Sequence, residues 1–264
     1  MTPEKVAAEV LGVEASTLSA TRIKGGLTNE SWCVAGAPIT VVVRISTADE
    51  HALQLNRRSE TQVLSLVQQA GIGAEVLLCS PERRLLVTRK LDAQPLALDA
   101  LHDLDCMQRL ALLLRRLHAL PTPPAVQQLD LRTVLQGYWL TLKTHGVKHE
   151  STLHTYALSI AEESARKSQS CLCHNDVHHL NLMSDGSRLW LLDWEYAGVG
   201  DPLFDLASVC CYHDYSPAQR AQLLQAYCGD VDDAELQRLQ RMCWLFDYIR
   251  ELWLAVRQSV KATS

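Results

Sequence analysis

The sequence predicts a two-lobed α+β fold, with a small, mainly β N-terminal lobe over 1–90 and a larger, mainly α C-terminal lobe over 91–264. Three observations predict it. Short β-branched runs separated by turn residues fill 18–45 and 75–89. From residue 99 onward apolar residues recur at helical spacing. One further hairpin pattern, near 180–192, interrupts those helices and carries an unusual set of polar residues.

In chain order, Pro3 and Glu4 open a short helix over 3–11. Strands at 18–23 and 31–34 flank Gly25-Gly26-Leu27-Thr28-Asn29-Glu30. Adjacent glycines let a backbone approach a phosphate closely, and Thr28 and Asn29 can add side-chain hydrogen bonds there. Ile39–Ile45 reads as a buried strand carrying a single cation, Arg44, which needs a partner away from water. A helix over 50–70 supplies one, because Glu60 lies on the face of Leu53, Val63, Leu64 and Val67; the alternative is Glu60 at the helix edge, pairing locally with Arg57 or Arg58. Gly71 and Gly73 end that helix, and a hairpin joins 75–79 to 85–89. Residues 88–92 then form an extended connector, with Arg89 and Leu91 placed where a hinge would meet a nucleotide base. Asp105 is the expected cap of a helix with a stripe from Leu110 to Leu120, and His118 beside it reads as a hydrogen-bonded core histidine. Helices near 131–145 and 150–168 follow, and Lys143, His145 and Lys148 read as surface. The last helices are 217–227 and 232–257.

The chemistry concentrates in CLCHNDVHHLNLMSDGSRLWLLDWEYAGVGDPLFDL, residues 171–205. His174-x-Asp176 followed by Asn181 has the spacing of a kinase catalytic loop, in which the Asp receives a hydroxyl proton and the Asn holds magnesium. The Asp185-Gly186 turn makes a hairpin that sets Asn181 almost opposite Asp193, so the two oxygens can share Mg²⁺. Arg44 and Glu60 fit the strand cation and helix acid that order ATP phosphates. Glu195 lies two residues beyond Asp193, and Asp205 either caps the next helix or braces the catalytic loop. Trp244, Tyr248 and Trp253 lie along the final helix as core residues or as the lining of a pocket.

Composition narrows the function. Net charge is −5, so there is no basic footprint for nucleic acid. No apolar run approaches a membrane span, and the first ten residues lack a signal-peptide pattern. Nine cysteines without a CxxC pair make a poor zinc signature and favour reduced thiols in the cytoplasm. The expected partner is a small-molecule substrate; oligomeric state carries no signal.

GGLTNESW, VVVRI, the Glu60 helix, LRRLHAL, HNDVHHLNLM and LLDWEYAGVGDPLFDLA occur in an order that resembles the choline/ethanolamine kinase and aminoglycoside phosphotransferase superfamily, whose fold is protein-kinase-like. The resemblance implies ATP and Mg²⁺ as cofactors, Asp176 as catalytic base, Asn181 and Asp193 as metal ligands, and Arg44 with Glu60 at the phosphates. CWLFDYIRELW is similar to the C-terminal helix of bacterial choline kinases, where aromatic side chains cage a quaternary ammonium. Arg250 stands where those kinases tend to carry tryptophan, so it must turn away or pair with an acid. The acceptor so implied is choline or ethanolamine, with thiamine the runner-up; aminoglycosides, amino sugars and a non-catalytic pseudokinase are the further alternatives. Eleven residues between Asp193 and Asp205 are too few for a protein-kinase activation segment.

Overall fold

A computed structural model describes residues 1–24, 28–36, 39–147 and 150–263, with side chains through 260. Gly25, Gly26 and Lys148 lie outside the described residues. The architecture is the expected one. An antiparallel sheet is built from β1 (Ser19–Ile23), β2 (Asn29–Ala35), β3 (Val41–Ser46), β4 (Val76–Ser80) and β5 (Leu85–Arg89), in spatial order β1-β2-β3-β5-β4. Helix α1 (Pro3–Leu11) covers it and α2 (Arg57–Gln69) runs between β3 and β4. The larger lobe holds α3 (Leu104–His118), α4 (Leu131–Thr144), α5 (Ser151–Lys167), α6 (Pro202–Tyr212), α7 (Pro217–Cys228) and α8 (Asp233–Thr263). Its short strands are β6 (Gln94–Pro95), β7 (Cys171–Cys173), β8 (Leu182–Ser184), β9 (Leu189–Leu191) and β10 (Gly198–Gly200). These pair as β6-β8-β9 and as β10-β7.

Helix α8 runs on to Thr263, past the expected end at 257, and two helix starts differ from the sequence expectation. Helix α2 starts at Arg57, not residue 50, because Asn56 caps it by accepting from the Ser59 amide at 3.1 Å. Helix α3 is capped by Asp103, which accepts from the Cys106 amide at 3.0 Å, and Asp105 stands in its first turn. Both aspartates suit a helix N-terminus, and only the one with extended backbone can cap.

A small core of Val6, Ala7, Val34, Val41, Val43 and Val87 joins α1 to the sheet. The main core starts at Val63, Leu64 and Val67 of α2 and continues without a break through α3 to α8. The second helix therefore ties the sheet lobe to the helical lobe. Catalytic-stretch residues hang from this core: Trp194 is 2% exposed and its ring meets His174 edge-on at 4.7 Å. Among the described residues no helix is long and apolar enough to cross a membrane.

Leu114 of α3 is fully buried at the centre of this core, whereas Leu112, two residues earlier, is 58% exposed. Leu114→Ala is expected to lower stability by about 2–5 kcal/mol in urea denaturation. Leu112→Ala should stay within about 0.5 kcal/mol.

Candidate active site

Strand β7 leads into a loop whose shape is set by one buried carboxylate. Asp205 of α6 accepts from the His174 amide at 2.9 Å and the Asn175 amide at 2.6 Å. It braces the loop, while Asp201 caps α6 by accepting from the Leu203 amide. His174 is sealed from solvent; its Nε2–H donates to the Leu192 carbonyl at 2.8 Å, leaving Nδ1 to accept from the Asp176 amide at 3.2 Å. Burial holds this imidazole below its ordinary pKa and so keeps it neutral, as that bonding requires.

Asp176 stands at the mouth of the loop. Its Oδ1 accepts from the Tyr212 hydroxyl at 2.9 Å, and its Oδ2 lies 3.3 Å from Asn181 Nδ2. Burial alone would raise the Asp176 carboxyl, but the His178 imidazole, 3.6 Å from Oδ2, and the Tyr212 hydroxyl reverse that and hold it below the usual range. It is therefore ionised at neutral pH. Asn181 also donates to the Asp176 carbonyl at 2.9 Å, so both contacts use its amide nitrogen and turn its amide oxygen elsewhere.

The hairpin pairs Leu182 with Leu191, and the Leu192 amide donates to the Asn181 carbonyl at 2.8 Å. Asp193 follows one residue on, in left-handed backbone at φ 63°. Asp tolerates this conformation better than most residues, and here it turns the chain back toward the sheet lobe. Asp193 meets Arg44 at 3.1 Å, and Arg44 in turn bonds Glu60 at 2.7 Å. The expected strand–helix pair is thus present and extends to the hairpin.

Beyond it lies a network that sequence reasoning missed. Arg57, 7% exposed at its side chain, reaches Glu60 at 3.0 Å and Glu195 at 2.9 Å through one nitrogen. Thr28 donates to Glu195 at 2.5 Å and Asn29 at 2.9 Å. Glu195 is therefore not a free acid for a cationic ligand; its two oxygens latch the helical lobe to the sheet lobe. The side chains of Thr28 and Asn29 serve this latch rather than an open phosphate site. Arg57 sits beside Arg58 in a polar run, and nothing local distinguishes the buried guanidinium from the solvated one.

Two guanidinium groups face four carboxylates, Glu60, Glu195, Asp193 and Glu50, and Asp193 is the most exposed of the four. Desolvation and then the Glu195 carboxylate push the Asp193 carboxyl well above its ordinary range, against Arg44. Its 38% side-chain exposure lets water temper the effect. A carboxylate short of positive charge, beside an amide oxygen, is a hard-oxygen donor set that fits Mg²⁺.

Other expectations distribute differently. Arg89 forms an exposed pair with Glu75 at 2.5 Å, and its amide donates to the Glu75 carbonyl, so it serves the sheet edge rather than a base. Leu91 follows it in the connector, half-buried. Trp244 stacks on Tyr248 at 5.5 Å and meets Tyr156 of α5 edge-on at 4.6 Å, which assigns both to helix packing rather than a pocket. Trp253 lies on another face and donates to the Tyr196 hydroxyl at 2.7 Å; the Tyr196 carbonyl accepts from Asn175. Arg250 pairs with Asp247 at 2.8 Å and lies 5.3 Å over the Tyr212 ring. The aromatic groups beside Asp176 are therefore Tyr212, Tyr196 and Trp253.

A phosphotransferase enzyme family profile matches residues 19–240. The chain belongs to that family. It is 26% identical over 219 residues to the protein LicA of Haemophilus influenzae, covering 79% of this chain and 62% of that one. The chain thus spans less than two thirds of that relative's length. A choline/ethanolamine kinase family protein from Mesorhizobium loti superposes with a TM-score of 0.74 at 25% identity, over 94% of this chain and 84% of that one. A thiamine kinase of Salmonella paratyphi B is 39% identical over 71 residues, covering 26% of this chain and 25% of that one.

Removing Glu195 would leave Arg57 to Glu60 and Glu50, deprive Thr28 and Asn29 of their buried acceptor, and open the interlobe latch. Glu195→Ala is expected to cost about 3–5 kcal/mol of folding stability, measured by denaturant titration.

Proposed function

We propose that this family member transfers the γ-phosphoryl group of ATP to the hydroxyl of a cationic amino alcohol of the choline/ethanolamine class. What supports the reading is that an ionised Asp176 lies 3.3 Å from Asn181, that Asp193 is linked through Arg44 to Glu60, and that the Asp176 charge is felt at Asp193. Residues 1–90 serve as the nucleotide lobe and 91–264 as the acceptor lobe. Asp176 orients the acceptor hydroxyl and takes its proton. Arg44, aligned by Glu60, orders the phosphate chain, and the Leu91 backbone meets the base. Asn181 and Asp193 hold Mg²⁺, which when bound neutralises phosphate charge. A loose phosphoryl transition state leaves the protein mainly alignment and charge compensation to provide.

The acceptor class follows from the groups around Asp176. Tyr212 carries the Arg250 guanidinium at 5.3 Å and Trp253 that of Arg257 at 5.8 Å, so these rings already meet cations, and a fixed cation would compete for contacts worth about 0.5–2 kcal/mol each. Arg250 is neutralised by Asp247, which removes the repulsion a bare guanidinium would exert. Thiamine is the second reading; it also joins a permanent positive charge to a primary hydroxyl, and the 39% identity to a thiamine kinase segment favours it. Aminoglycosides would want more free carboxylates near Asp176. A pseudokinase reading fits poorly with Asp176, Asn181 and Asp193 all present. All nine cysteines are free thiols, in keeping with a cytoplasmic protein.

Steady-state ADP release should be measured over choline, ethanolamine, thiamine, an aminoglycoside and an N-acetyl sugar. Turnover is expected to be greatest with choline or ethanolamine, and no turnover with any of them would sink the proposal. With the best acceptor, Asp176→Asn should lower kcat by about 10²–10⁴-fold while leaving the melting curve intact. Tyr212→Phe removes a hydrogen bond to the charged form of Asp176, worth about 1.5–3 kcal/mol, and so should slow turnover by roughly ten- to a hundredfold. That hydroxyl helps hold the carboxyl pKa down, so the acid limb of the pH–rate profile must move to higher pH in this variant. An unmoved limb would remove Tyr212 from the mechanism.

A further inference from the structure

On the far side of the catalytic loop, strand β7 and the end of α3 bring three metal-ligating side chains together. One ring nitrogen of His118 and the sulfurs of Cys171 and Cys173 all lie within 4.8 Å of one another. The two sulfurs are 3.8 Å apart. Tetrahedral zinc with Zn–S bonds of about 2.3 Å needs its sulfurs about 3.8 Å apart, so this pair already has the required bite. The bite follows from sequence: a Cys-x-Cys strand puts both side chains on one face. The partner histidine comes from another element, which is why the local cysteine pattern looks too short for zinc.

The histidine is prepared as a ligand. His118 Nε2 lies 2.9 Å from Asp205 Oδ2, and Nδ1 lies 2.7 Å from the Tyr227 hydroxyl. The carboxylate fixes Nε2 as the protonated nitrogen, so Nδ1 carries a lone pair, which now accepts from Tyr227. Histidines that bind metals are commonly oriented in this way, by a carboxylate on the opposite ring nitrogen. Burial raises the Tyr227 phenol, with smaller contributions from Cys171 and Cys173, in keeping with all these groups sharing one spot.

The place is also reachable. A cavity of about 390 Å³ opens beside it, lined by His118, Cys171, Asp201, Tyr227 and Cys228 among others. Cys173 is fully buried and Cys171 half-buried, so one wall of the cluster is sealed and the other faces this entry path.

We propose that His118 Nδ1, Cys171 Sγ and Cys173 Sγ form a binding site for a thiophilic divalent cation of the zinc class. Its fourth position faces the cavity. On binding, both thiols lose their protons to solvent, two sulfur–metal bonds and one nitrogen–metal bond form, and the Tyr227 hydroxyl gives up His118. No redox change is involved. Asp205 then bridges the metal-bound imidazole and the His174 and Asn175 amides, so this site and the catalytic loop hang from one carboxylate.

The test uses the full-length protein, stripped with chelator, kept in a phosphine reductant and titrated with Co²⁺. One equivalent should bind with a thiolate-to-cobalt charge-transfer band and tetrahedral d–d bands, and one equivalent of Zn²⁺ should bleach both. Cys171→Ser and Cys173→Ser should each abolish the charge-transfer band. Cys228→Ser and Asp193→Asn should keep it; the latter separates this site from the proposed magnesium ligands. No such band in the wild-type protein, its survival in Cys171→Ser, or its loss in Cys228→Ser overturns the proposal. Cys171 is half-buried, so its variant carries the test even if Cys173→Ser fails to fold.

Discussion

Four charged side chains that water scarcely reaches, Arg44, Glu60, Arg57 and Glu195, are the condition on which the rest of the structure depends. Each would be intolerable alone in this interior, where an unpaired ion costs several kcal/mol. Together they form a continuous run of contacts between 2.7 and 3.0 Å that begins on a strand, crosses a helix and ends beyond the β8–β9 hairpin. The two lobes therefore cannot separate at this point without breaking ion pairs. Asp193 is the open end of the chain, and its left-handed backbone keeps it pointed at Arg44.

A second carboxylate performs the same duty for the loop. Asp205, with no exposure, holds two successive amides in place. His174 then transmits that order to the hairpin through a single tautomer, and Ser208 adds a hydrogen bond to the Val177 carbonyl at 2.8 Å. The Asp176 carboxylate thus sits on a frame of buried, hydrogen-bonded groups, and its own oxygens meet Tyr212 and Asn181.

Much of this frame was legible because the sequence carries it as local spacing. Asp176, Asn181 and Asp193 are separated by one loop and one hairpin, and the Asp185-Gly186 turn reports where the chain reverses. Gly186 adopts φ 95° there, and Asp185 accepts from the Ser187 and Arg188 amides. Arg44 and Glu60 were legible as charges placed where only apolar residues belong. The links of Glu195 to Thr28 and Arg57, and of Tyr212 to Asp176, were not, since those partners stand 36 to 167 residues apart in the chain. Helical arithmetic resolves one of the remaining choices: nine residues at 3.6 per turn put Trp253 about half a turn from Trp244. One of the two can meet the cleft only if the other faces a neighbouring helix, and the contacts of α5 decide which.

The pairing of Arg250 with Asp247 has an evolutionary consequence. Both side chains are more than a third exposed, and their mutual attraction is of the weak, solvent-screened kind. Exchanging either for an aromatic or a neutral residue would leave the scaffold's solidity almost untouched while rewriting the electrostatic welcome offered to an incoming alcohol. If the proposed acceptor binds beside Tyr212, ligand preference is thereby uncoupled from fold integrity, and one turn of α8 gives selection a dial it can move at little risk.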